Sequence, residues 1–96
     1  MASKAEEITI EYEEDGVLLT KVLDSEVLSA GAWATVIFKY ETWDKKNECY
    51  SSSKYTIRRY RKMNDEYRPM SKFNISSDRQ ANKLIEILSR WVSENE

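Results

Sequence analysis

The segment SDRQANKLIEILSRWVS, residues 77–93, decides the fold class. Its apolar residues Leu84, Ile85, Leu88, Trp91 and Val92 recur three and four positions apart, which is the period of one helix face. Ser77 and Gln80 stand at capping-box spacing, so hydroxyl and amide side chains can satisfy free N–H groups at the helix start. Upstream of this helix the period changes to two. Ile8, Ile10 and Tyr12 alternate with Thr9, Glu11 and Glu13, and the stretch from Trp33 to Trp43 is dense in aromatic and β-branched residues. Strands followed by a single helix predict an α+β domain, with an antiparallel sheet of four to five strands over 8–75 and the helix over 77–93 covering one face.

Turn chemistry divides the sheet region. Asp15-Gly16 is a hairpin signal between a strand at 8–13 and one from Val17 to Leu23, which Val27-Leu28 extends through a bulge. Ser29-Ala30-Gly31 breaks the chain before Trp33, and the polar stretch from Asp44 to Ser53 reads as a loop. A strand from Lys54 to Lys62 turns at Met63-Asn64-Asp65 into a last strand from Glu66 to Ile75, whose Pro69 implies an edge or a bulge. The first seven residues carry no pattern and are expected to be disordered.

A chain of 96 residues is one domain with a core that is marginal alone, so oligomerisation is expected. Cys49 is the single cysteine. It excludes an internal disulfide and points to a reducing, cytoplasmic setting. No stretch reaches the roughly 20 apolar residues of a membrane span, and residues 1–7 lack the apolar region of a secretory signal, so no membrane partner is expected. Histidine is absent, glycine occurs only at 16 and 31, and one thiol builds no zinc site. These absences argue against an enzyme, and no metal and no cofactor are expected.

The net charge of −2 conceals a strong segregation. Residues 1–32 carry eight acids against Lys4 and Lys21, whereas residues 54–72 carry Lys54, Arg58, Arg59, Arg61, Lys62, Arg68 and Lys72 against Asp65 and Glu66. The basic segment is a local positive field on a nearly neutral protein. Alternation assigns the side chains to faces. With Ala34, Val36, Phe38 and Tyr40 inward, and Ile57 packed under the helix, an open face gathers Lys39, Trp43, Arg58, Tyr60 and Lys72. Cations neutralise phosphates and aromatic rings stack on unpaired bases, so this face suits an extended single strand. An ordinary solvated sheet face with cross-strand charge pairs is the bland alternative.

The run from Tyr55 to Tyr60 (YTIRRY), the run from Glu66 to Ile75 (EYRPMSKFNI), and Gln80 with Leu84 in the helix resemble the transcriptional coactivator family called positive cofactor four. The matching motifs span roughly a third of the chain. The resemblance implies a whirly-like dimer that binds single-stranded DNA through a four-stranded sheet plus a helix, possible service in transcription or DNA maintenance, and helices at the dimer contact. By position it assigns Arg58, Tyr60, Arg68 and Lys72 to nucleic acid, with Lys39 and Trp43 matched more loosely in the preceding strand. Leu84, Leu88 and Trp91 become dimer contacts. Phe73 stands where the family has a glycine, and the 44–53 loop and acidic hairpin are additions.

Two functions follow as expectations. One is a homodimeric binder of single-stranded DNA or RNA, with Lys39, Arg58, Arg68 and Lys72 on phosphates and Trp43 and Tyr60 on bases. The other is a protein-interaction or regulatory module that uses the same sheet or the acidic hairpin.

Overall fold

A computed structural model describes residues 3–95. A short 3-10 turn, Ala5–Glu7, leads to β1 (Tyr12–Glu14), β2 (Val17–Ser29), β3 (Trp33–Asp44), β4 (Cys49–Tyr50), β5 (Lys54–Met63) and β6 (Glu66–Ile75), then to helix α1 (Asp78–Glu94). Every pairing is antiparallel, and the sheet order β1-β2-β3-β5-β6 is a meander, with β4 pairing only to the end of β3. The α+β class and the terminal helix agree with the sequence expectation.

The turns explain why the strands reverse where they do. Asp15 and Gly16, with φ of 53° and 78°, and Asn64 and Asp65, with φ of 52° and 63°, each place two consecutive left-handed residues in a two-residue hairpin. That backbone twist matches the twist of the flanking strands. The expected 44–53 loop is instead partly a hairpin. The Asp44 carboxylate accepts from the Lys46 and Asn47 amides at 2.9 and 3.3 Å, Glu48 takes φ 50°, and Cys49–Tyr50 returns along Trp43–Asp44. At the helix start Ser77 Oγ accepts from the Gln80 amide at 3.1 Å. Gln80 Oε1 accepts from the amide of Ser76, one residue earlier than the capping box predicts.

Directly opposed residues of an antiparallel ladder share a face. Ala34, Val36 and Phe38 oppose Tyr60, Arg58 and Thr56, which oppose Pro69, Lys72 and Asn74. This first face holds the core: Ala34, Val36, Phe38, Thr56 and Tyr60 are buried. The second face carries Trp33, Thr35, Ile37 and Lys39 opposite Arg61, Arg59, Ile57 and Tyr55, with Arg68, Ser71, Phe73 and Ile75 beyond.

The core is covered by the N-terminal segment and not by the helix. Ala5 and Ile8 are buried in the core cluster, and Ile10 packs against it with Val22. The alternation expected over 8–13 therefore operates, but the ladder is confined to Tyr12–Glu14. Among residues 1–7, expected to be disordered, 5–7 form the 3-10 turn and residues 1 and 2 lie outside the described residues. Helix α1 buries no residue; its main packing is against β6, and the Tyr55 hydroxyl donates to Asp78 Oδ1 at 2.7 Å. Ile57 thus does not lie under α1, which corrects the sequence expectation. Ile85, Leu88, Trp91 and Val92 are all more than half exposed, and Phe73 nearly so.

Since Ile8 fills the core from outside any strand, Ile8→Ala should destabilise the domain by about 2 kcal/mol or more, the usual range for a buried Ile truncation. Urea unfolding measures this. A change near zero would show that the N-terminal cover contributes nothing to the core.

Candidate nucleic-acid interface

Strand β5 carries cations at consecutive positions, so it projects them from both sides of the sheet. Arg58 and Lys62 lie on the first face with Lys72, whereas Arg59 and Arg61 lie on the second with Arg68. The structure therefore divides the six expected nucleic-acid residues, of which Lys39, Trp43, Arg58, Tyr60 and Lys72 were expected to share one open face. Arg58, Tyr60 and Lys72 are together on the first face. Lys39, Trp43 and Arg68 are on the second, and Arg68 is far from the other two along the strands.

On the second face an exposed aromatic stands among cations. Trp33 is 39% exposed, with the Arg59 guanidinium carbon 4.6 Å and that of Arg61 5.7 Å from its ring. Trp33, Arg61 and Arg68 form one cross-strand row, and Thr35, Arg59 and Ser71 form the next. Arg68 also meets Glu66 at 3.7 Å, a contact between exposed side chains that leaves its guanidinium open to solvent. Sequence reasoning missed Trp33, Arg59 and Arg61 as site residues. The available signal was the strand parity itself: once Val36 and Phe38 are inside, their neighbours Trp33 and Thr35 are on the other side.

Among the remaining expected residues Trp43, Tyr60 and Arg58 are engaged within the fold, whereas Lys39 and Lys72 have register neighbours only. Trp43 packs edge-on against Tyr50, with centroids 5.1 Å apart at 69°. The Tyr50 hydroxyl donates to the Leu18 carbonyl at 2.9 Å, and Lys21 lies 5.1 Å from the Tyr50 ring. Lys39 opposes Asp24 across β2 and β3. Tyr60 is buried, which removes its ring from base stacking, and the burial pushes its phenol up while nearby Arg58 acts in the opposite direction. Arg58 Nε donates to Thr56 Oγ1 at 3.2 Å, and that hydroxyl donates to Asn74 Oδ1 at 2.8 Å. Tyr67 donates to the Gly31 carbonyl at 2.6 Å, which closes the β2–β3 connection onto β6, and Lys62 lies over its ring.

Among the described residues no cluster of acids and cysteine has the makings of a metal site, and no helix is long and apolar enough to cross a membrane. Compared with known proteins, the chain matches no family model, no curated protein and no solved structure.

Two phenols report on this architecture. The hydrogen bond to Asp78 raises Tyr55, and burial raises Tyr60. A folded pKa above the unfolded value contributes stability that is complete below the unfolded phenol pKa of about 10 and is lost as pH rises through the folded value. The domain should accordingly lose stability above about pH 10. Tyr55→Phe and Tyr60→Phe should each remove one late step from the ultraviolet phenolate titration. A titration unchanged by both substitutions would contradict these environments.

Proposed function

We propose that the protein is a non-catalytic, homodimeric binder of single-stranded nucleic acid whose contact surface is the Trp33 end of the second sheet face. The observation that carries this reading is the exposed Trp33 ring with two guanidinium groups beside it and a third, Arg68, in the same row. An indole face stacks on any base, and three guanidinium groups neutralise successive phosphates, so the pair of interactions selects unpaired strands without reading sequence. The resemblance of the β5–β6 region to single-stranded DNA-binding coactivators supports the same ligand class, as does the concentration of cations in residues 54–72.

The test is fluorescence anisotropy with a labelled oligothymidine at two salt concentrations. Three phosphate contacts should make log affinity fall with log salt at a slope of about −2, at roughly 0.7 per contact. Trp33→Ala should weaken binding by about 1–3 kcal/mol with the slope nearly unchanged. Arg61→Ala should reduce the slope by a little under one unit, roughly the contribution of one phosphate. Equal affinity for duplex and single strand, together with an unaffected Trp33→Ala variant, would reject the interface and favour a protein-interaction role.

The dimer in this reading joins two surfaces that one chain leaves open. One is the helix stripe of Ile85, Leu88, Trp91 and Val92; the other is the sheet row Ile37, Ile57 and Phe73, on the second face. Ser76 and Ser77 alone separate β6 from α1, so the helix leaves the sheet without folding back over that row. A two-fold partner supplies the missing cover to both, since an isologous contact places each helix on the other sheet. Burial of a large apolar side chain contributes about 1.5–3 kcal/mol, so Trp91 and Leu88 make the association favourable. Light scattering at tens of micromolar should give the dimer mass for the native chain and the monomer mass for Leu88→Glu. A monomeric native chain would refute the dimer.

A further inference from the structure

The first face contains a groove that the strand-binding surface does not use. It lies between the N-terminal segment and the β5–β6 hairpin and has a volume of about 650 Å³. That is within the roughly 300–1,000 Å³ typical of small-molecule sites. Ile8 and Ile10 form one wall; Tyr67 and Pro69 form the other.

The charged groups of this groove meet no opposite charge among the described residues, although Arg58 Nε donates to Thr56 Oγ1. Arg58 and Glu7 both line it, yet among the described residues neither forms an ion pair. Opposite charges that share a groove without meeting leave room for a ligand with an anionic group at one end and hydrogen-bond donors at the other. Tyr60 has 5% of its surface exposed, lines the same groove, and its hydroxyl has no hydrogen-bond partner among the described residues. Lys72, opposite Arg58 on β6, adds a second cation on this face. The N-terminal segment follows strand alternation at residues 8–10 but belongs to no ladder, so the backbone groups of Thr9 and Ile10 stand ready to bond a ligand edge.

We infer that this groove binds one nucleotide, with the phosphate at Arg58, Lys72 and the Tyr60 hydroxyl, and the base in the groove beside Ile10 and Pro69 with its donor edge toward Glu7. A phosphate is the anion that a guanidinium and a phenol recognise together by charge-assisted hydrogen bonds. A base such as guanine carries adjacent N–H donors that a carboxylate accepts. The nucleotide comes either free from solution or as one residue of a strand that crosses the β6 edge from the second face. Both sources present the same chemistry.

Isothermal titration calorimetry of the full chain with dGMP is the direct test. The native protein should bind dGMP, and deoxyguanosine without the phosphate should bind at least about tenfold more weakly, as expected for loss of charged hydrogen bonds. Arg58→Gln should weaken dGMP by about tenfold or more, and Tyr60→Phe, which keeps the buried ring and removes only the hydroxyl, by about threefold to tenfold. Circular dichroism checks that both variants are folded; should Arg58→Gln fail to fold, Tyr60→Phe and the deoxyguanosine comparison decide. Absence of dGMP binding, or binding indifferent to both substitutions, overturns the inference. Oligothymidine binding measured in parallel separates the two surfaces: if it persists while dGMP fails, the groove is rejected and the Trp33 interface stands. An oligothymidine with one central guanine identifies the source. Weakened binding by Arg58→Gln assigns the groove to a strand nucleotide, and unchanged binding assigns it to a free one.

Discussion

The pairing of Phe38 with Thr56 across β3 and β5 sets the parity of the sheet, and every surface property follows from it. Opposed residues of a ladder cannot choose faces independently. Once Phe38 and Val36 are buried, Thr56, Arg58 and Tyr60 are committed to the same side, and Arg59 and Arg61 to the other. Bulges absorb the exceptions. Extra residues at Leu23 and Leu28 in β2, and at Met70 in β6, let each strand bend around the core without inverting the assignment of its neighbours. The threonine at the centre is satisfied by its hydrogen bond to Asn74 and that from Arg58, so a polar residue can sit in the most buried row.

The fold was largely legible in the sequence because its signals are local. Asp15-Gly16 and Asn64-Asp65 both require left-handed backbone, the helix cap lies at Ser77, and the change of period between Ile75 and Leu84 separates sheet from helix. The site was legible only in part because facing depends on pairing between strands far apart in sequence. Assigning Ile57 inward alongside Val36 and Phe38 treats β3 and β5 as separate strands; Ile57 pairs with Ile37, whose parity is opposite to theirs. Arg58, Tyr60 and Lys72 were correctly grouped together, but grouped with Lys39 and Trp43 on the wrong side. Trp43 looked free because nothing in the polar stretch after it announces that Tyr50 returns to pack on its ring.

An amphipathic helix in sequence says that an apolar face needs cover, not which chain supplies the partner surface. In this chain the covering of the core falls to Ala5, Ile8 and Ile10, of which the two isoleucines stand in the expected half-buried strand and Ala5 in the stretch expected to be disordered. Helix α1 extends from the sheet with its stripe exposed, and beside it lies the apolar row of Ile37, Ile57 and Phe73, in which Phe73 is exposed and the two isoleucines are half-buried. Exposed apolar area of this kind marks an interaction surface more often than an ordinary solvated one. The free β6 edge is a poorer candidate for association, since Pro69, the Met70 bulge and the flanking Arg68 and Lys72 all oppose strand-to-strand pairing.

Net charge is a poor guide to this molecule because its charges are spatially sorted. The β1–β2 hairpin, with Glu13, Glu14 and Asp15, pairs with the end of β3 near Thr42, while Trp33 begins β3 at the opposite end. Nine steps of strand from Trp33 to Thr42, at about 3.3 Å each, place the two charge clusters at least roughly 30 Å apart. That separation is about four Debye lengths at physiological ionic strength, where screening reaches about 8 Å. The acidic hairpin therefore does not cancel the field of Arg59, Arg61 and Arg68, whose one acidic neighbour by ion pair among the described residues is Glu66 beside Arg68, so a net charge of −2 understates the cationic character of this end of the sheet. In the proposed reading the same separation sets the orientation of a polyanion, because one end of the sheet repels it while the other attracts it.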